Sequence, residues 1–150
     1  MVRSGAGTDG STVREVVVLT GGDPVRAELA PLLPAGATVV AADSGLAAAR
    51  TLGLDVDLVV GDMDSVDPDL LAAAEAAGTR IERHPAAKDA TDLAIAMDAA
   101  SGLGADRLTV VGGHGGRLDH LLAGALLLAS DAYRHLEVVA LMGPATVTAK

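Results

Sequence analysis

Residues 57–65 read DLVVGDMDS, an apolar run that ends in two aspartates one residue apart, Asp62 and Asp64. A short continuous apolar run bounded by a Gly-Asp turn reads as a buried strand. Both carboxylates then lie in a loop at the strand's carboxyl end, where open α/β sheets bind ligands. With its leading residues the run covers 56–61 (VDLVVG), and five others share its character: 15–20 (EVVVLT), 37–42 (ATVVAA), 80–83 (RIER), 107–112 (RLTVVG) and 136–142 (LEVVALM). Ala- and Leu-rich helical segments separate them, at roughly 25–33, 46–52, 68–77, 92–103 and 118–130. Pro24 and Pro68 suit first-turn positions, and Gly53, Gly78 and Gly104 follow helical runs where terminating glycines belong. Strand–helix alternation with continuously apolar strands predicts an α/β fold, a three-layer, doubly wound, mostly parallel six-stranded sheet with helices on both faces, Rossmann-like. Residues 1–14 (MVRSGAGTDGSTVR) read as a poorly ordered tail, 15–150 as one nucleotide-binding domain, and the final GPATVTAK as a short tail.

Composition narrows the classes of function. At 150 residues the chain is long enough for a real core, yet Tyr133 is its only aromatic residue, so that core must be built from Ala, Val, Leu, Ile and Met. Eleven Lys and Arg against twenty Asp and Glu give a net charge of −9, which argues against a general nucleic-acid or anionic-membrane partner. With no cysteine, a disulfide scaffold, a thiolate nucleophile and a Cys-based zinc site are excluded. The longest apolar stretch, 121–129, is too short to span a bilayer, and the first fourteen residues hold no apolar signal core. A cytoplasmic location follows as the expectation.

Three clusters carry the chemistry. Asp62 and Asp64 can aim two hard oxygen donors at one point, the ligands Mg²⁺ takes together with phosphate oxygens. The alternative is an Asp-rich turn in which Ser65 or Asp67 caps the helix beginning at Pro68. Residues 88–92 read KDATD; Thr91 or Asp89 could cap the following helix, but Lys88 is the only lysine besides Lys150 and suits a phosphate as a point charge. Asp92 would add a third carboxylate to the metal. Residues 112–120 read GGHGGRLDH, whose glycines can expose amides at a helix N-terminus to an anion, with Arg117 as a phosphate fork and Asp119 holding that arginine or the metal. A flexible loop with a capped helix would also explain the glycines. The pattern is neither a P-loop nor a dinucleotide fingerprint. A zinc pair of His114 and His120 is disfavoured by the Asp-dominated surroundings. Gly21-Gly22-Asp23 and Asp43-Ser44-Gly45 follow the first two strands and could cradle a nucleotide or merely cap helices, while His84 and His135 read as surface residues without a role.

Taken in order, ADSG at 42–45, DLVVGDMDS at 57–65, KDATD at 88–92 and GGRLDH at 115–120 make a specific set, and over about residues 16–142 the chain resembles the catalytic domain of the thiamine pyrophosphokinases. The resemblance implies a Mg²⁺-dependent transfer of the pyrophosphoryl group of ATP to the hydroxyethyl group of thiamine, giving thiamine diphosphate and AMP, in a homodimer. It assigns Asp62, Asp64 and Asp92 to the metal and Lys88, Arg117 and Asp119 to catalysis beside them. The nucleotide would fall to Gly21, Gly22, Asp43, Gly45, Asp89, Gly113, Gly115, Gly116 and His120. Two positions depart from the family's usual pattern: ADSGLA at 42–47 stands where A-D-G-G-A-N is common, and Gly124 where an asparagine often follows R-L-D-H. The family's C-terminal all-β domain, which helps to form the thiamine site, is expected to be absent here. A diphosphokinase for another heterocyclic alcohol, such as a pterin, and a non-catalytic ATP-binding module are the alternatives.

Overall fold

Val16, Val17, Val18 and Leu19 are each no more than 1% exposed, so β1 (Glu15–Leu19) is buried on both faces and must lie inside the sheet. The computed structural model describes residues 13–21, 24–42, 44–64, 66–84, 92–112, 131–142 and 145–149. Among these, β1 is flanked by β2 (Thr38–Ala42) and β5 (Arg107–Val111), and the sheet continues outward through β3 (Leu58–Gly61), β4 (Arg80–Arg83), β6 (Glu137–Met142) and β7 (Ala145–Ala149). The strand order is β4-β3-β2-β1-β5-β6-β7, with every pair parallel except β6 and β7. Six parallel strands match the expected sheet. The seventh corrects the reading of the last residues as a tail: ATVTA places three consecutive β-branched residues between two alanines and adds an antiparallel edge. Chain direction therefore reverses its march across the sheet between β1 and β5.

Side-chain alternation splits the core in two, one half on each face of the sheet. Val16 and Val18 join Val40 and Val60 against Leu93, Ala96, Met97 and Ala100 of α3 (Asp92–Gly102), an i, i+3, i+4, i+7 stripe. Val17 and Leu19 face the other way, onto Leu46, Ala49 and Leu52 of α1 (Gly45–Leu52) and Leu70 and Leu71 of α2 (Pro68–Ala76). Tyr133 is buried in the first half-core, and its hydroxyl donates to Asp98 Oδ1 at 2.7 Å. Burial, reinforced by that carboxylate, raises its pKa above the ordinary tyrosine value.

The expected helix at 25–33 is instead a 3₁₀ helix over Ala27–Leu32. Pro31 lies inside it; a proline ring in an α-helix would meet the carbonyl four residues back and removes a backbone donor. Pro24 accordingly falls outside the helix rather than in its first turn. The expected helix at 118–130 lies outside the described residues.

The amino edge of the sheet is held by charge. Glu15, Arg107 and Glu137 stand in register across three strands, with the Arg107 guanidinium 3.3 Å from a carboxylate oxygen on each side. The hydrogen bond to Glu15 and the charge of Glu137 hold its pKa above the usual arginine value. Arg14, just before β1, bonds the Leu103 carbonyl at 2.9 Å, which pins the end of α3 to this same edge. Eleven residues of helix rise about 16 Å, and a five-residue strand spans about as much. The start of α3, Asp92, is thereby carried to the opposite, carboxyl edge. No helix among the described residues is long and apolar enough to cross a membrane.

Candidate active site

Because β1 to β6 are parallel, the loops that follow them open on one edge of the sheet. At its middle, where the order reverses between β1 and β5, lies the crevice in which sheets of this kind take ligands. Thr20 and Gly21 leave β1 there, Ser44 and Gly45 follow β2, Asp62 to Asp64 follow β3, and Gly112 leaves β5.

Missing side chains let these backbones close on one another. A Cβ on Gly45 would strike the Leu19 carbonyl, one on Gly112 would strike the Thr20 carbonyl, and one on Gly21 would strike the Ser44 hydroxyl. Gly112 also has a φ of +104°, a conformation that L side chains rarely adopt. The expected cradle glycines Gly21 and Gly45 are thus placed at the crevice, and their packing alone accounts for the absence of a side chain.

The aspartate loop is locked by its own atoms. Asp62 is half-buried, and its Oδ1 accepts the Asp64 N–H at 2.9 Å. Between them Met63 takes a φ of +70° and turns its side chain into the core at 8% exposure. Left-handed backbone is costly for a long side chain, and its burial offsets that cost. Asp64 is exposed. The alternative of an Asp-rich turn before a capped helix is met as well: Asp67 caps α2, its carboxylate accepting the Asp69 N–H at 2.8 Å. Asp62 Oδ2 and the Asp64 carboxylate take no part in that cap. Asp92, carried to the same edge by α3, is the third expected metal ligand.

The donor set suits a hard divalent cation, since one or two carboxylates completed by phosphate oxygens and water is the usual arrangement for Mg²⁺. Among the described residues no three His, Cys, Asp or Glu come together as a group that could hold a metal ion. Gly22, Asp43, Lys88, Asp89, Gly113, Gly115, Gly116, Arg117, Asp119 and His120 lie outside the described residues, as do His114, Ser65 and Thr91. His84 is half-buried just after β4, its backbone N–H donating to the Gly61 carbonyl at 2.8 Å. His135 is exposed on the other side of the molecule from the aspartate loop, bonded to Ser101 at 2.9 Å.

Comparison with known proteins bears on the family and the fold. The family model for the thiamin pyrophosphokinase catalytic domain matches residues 29–140. No curated protein matches the sequence. Among solved structures, the thiamine pyrophosphokinase of Bacillus subtilis superposes with a TM-score of 0.71 at 23% identity, over 85% of this chain and 60% of its own. The Candida albicans enzyme gives 0.70 at 17% identity, over 86% and 58%, and that of Geobacillus thermodenitrificans 0.67 at 27%, over 85% and 59%. The chain thus spans about three fifths of the length of these relatives.

Proposed function

The chain belongs to the thiamin pyrophosphokinase catalytic-domain family, and on that premise we propose that it provides the phosphate-transfer site for a Mg²⁺-dependent diphosphokinase. The reaction moves the pyrophosphoryl group of ATP to the hydroxyethyl group of thiamine and yields thiamine diphosphate and AMP. The observation supporting it is the aspartate loop. Asp62 and Asp64 stand at the carboxyl edge of a doubly wound sheet with the capping role already filled by Asp67.

Asp62, Asp64 and Asp92 would hold the metal, which when bound supplies charge neutralisation on the phosphates. Phosphate transfer needs little covalent help from protein, so the chain's own part is positioning and electrostatics. The Asp62–Asp64 turn presents its carboxylates from a backbone fixed by the Oδ1 bond and the buried Met63, so little order is lost when phosphate arrives. Gly21, Gly45 and Gly112 let the strand-end loops pack closely against one another at the switch point. Lys88, Arg117 and the amides of Gly113, Gly115 and Gly116 stabilise charge on the transferred and departing groups. Asp43, Asp89 and His120 complete the nucleotide side, and Asp119 orients Arg117. The acceptor alcohol attacks the β-phosphorus in line, with no protein nucleophile. Residues 15–150 act as one nucleotide-binding domain in a cytoplasmic homodimer.

AMP release from Mg·ATP, measured with and without thiamine, tests the proposal. Thiamine-dependent AMP supports it. Nucleotide binding with no AMP under any acceptor restricts the chain to holding ATP, and AMP formation that follows a pterin alcohol instead reassigns the acceptor.

A further inference from the structure

Left-handed backbone is costly for an L residue, and where a chain needs it glycine, asparagine or aspartate is the usual choice. Among the described residues one non-glycine position adopts it, Met63, at a φ of +70°. The side chain there is long and apolar, and it stands between Asp62 and Asp64. It is 8% exposed and belongs to the half-core of Leu46, Val59 and Val66. The Met63 carbonyl accepts the Val66 N–H at 3.4 Å, while the Asp62 carboxylate reaches past it to the Asp64 N–H at 2.9 Å. A glycine would take the same backbone at no steric cost, but it would leave the turn without an apolar anchor. Strained residues persist only where their surroundings over-determine them, and they gather at functional sites.

We propose that Met63 is a positioning residue of the phosphate-transfer site: its buried side chain holds the left-handed turn that sets Asp62 and Asp64 in place for the metal–phosphate ligand. The inference rests on the reading of those two aspartates given above. Met63 acts only through its neighbours. While it is anchored, the turn is ordered by folding; without the anchor, the ligand must order it. Fixing the backbone of one residue at binding instead of at folding costs about tenfold in affinity.

The test is calorimetric titration with Mg·ATP, below the melting temperature of each chain, for the wild type, Met63→Gly, Met63→Val, Met63→Leu and Leu52→Ala. Met63→Gly accepts the backbone but lacks the anchor, and is expected to bind about tenfold more weakly. Met63→Val keeps an apolar side chain on a residue type poorly able to hold left-handed backbone, so it too should bind more weakly. Met63→Leu conserves volume and keeps affinity within a few-fold of the wild type. Leu52→Ala removes burial from the same half-core at the far end of α1, so it should lower the melting temperature and leave affinity unchanged. If the wild type binds Mg·ATP and either Met63→Gly or Met63→Val binds it equally, this inference fails alone. Binding lost as much in Leu52→Ala as in Met63→Gly, or not restored by leucine, makes Met63 an ordinary core residue and overturns the assignment. Failure of the wild type to bind nucleotide overturns the proposed function and this inference with it.

Discussion

Gly45→Ala probes the backbone contact on which the crevice is built. The new Cβ would meet the Leu19 carbonyl and come within 3.0 Å of the Thr20 nitrogen. Leu19 has no freedom to yield, being fully buried and paired to Ala41 on one side and Val111 on the other. Helix α1 must therefore withdraw by on the order of 1 Å to restore an ordinary non-bonded separation of about 3.5 Å. Overpacking of this kind costs about 1–3 kcal/mol. Alanine also restricts the unfolded chain, which returns about 0.4–1 kcal/mol. The balance is a loss of about 1–2 kcal/mol, or a melting temperature lower by roughly 2–8 °C. Withdrawal of α1 also moves Ser44 away from Gly21, so affinity for Mg·ATP should fall with it. Gly53→Ala is the control: Gly53 ends the same helix at a φ of +69° with open space around it. Its left-handed conformation makes alanine cost about 1–2 kcal/mol there too, with no effect on the crevice. Thermal melts paired with calorimetric titration separate the two. A Gly45→Ala chain that melts with the wild type and binds nucleotide equally well would refute the packing argument.

Asp62→Asn keeps the Oδ1 that accepts the Asp64 N–H, so it removes charge and preserves the turn. Thiamine-dependent AMP formation should drop by on the order of 100-fold or more, the scale for losing one preorganised electrostatic partner, while the melting temperature stays put. Near-normal turnover would remove Asp62 from the metal site. The Tyr133 hydroxyl titrates higher in the folded chain than in the unfolded one, because burial and Asp98 both disfavour its anion. Its contribution to stability is complete below about pH 10 and is lost as pH rises from there toward the folded value, by up to about 1.4 kcal/mol per pH unit. Urea denaturation from pH 7 upward should show that slope in the wild type and not in Tyr133→Phe, which gives up about 1 kcal/mol at neutral pH for its lost hydrogen bond. Equal slopes in the two chains would assign the alkaline loss to other groups.

What could be read in advance followed from how strongly each segment announces itself. Strands such as EVVVL and RLTVV are almost continuously apolar because both of their faces are covered, and their positions and parallel pairing came out as expected. The 25–33 segment has helical composition, but Pro31 acts through the carbonyl four residues behind it, a steric effect that composition does not register. ATVTA is short and has no long apolar residue beyond one valine, so only its pairing with β6 reveals it as a strand. In the site, the Asp62–Asp64 spacing was legible, whereas the choice of Asp67 as the cap depends on backbone geometry.

The position of β1 has a consequence for how the chain is made. Its first neighbour, β2, follows within about two dozen residues, but its second, β5, pairs Glu15 with Arg107, ninety-two positions later. Synthesis at about 5–20 residues per second leaves that side of EVVVL without a partner for roughly 5–20 s. Long loop closures are also slow to find once the chain is complete. During that interval the future centre of the protein is an exposed apolar edge, so a chaperone that shields it should raise the soluble yield more than any change at the finished surface. The strand that ends up deepest in the protein is the one most vulnerable while it is being born.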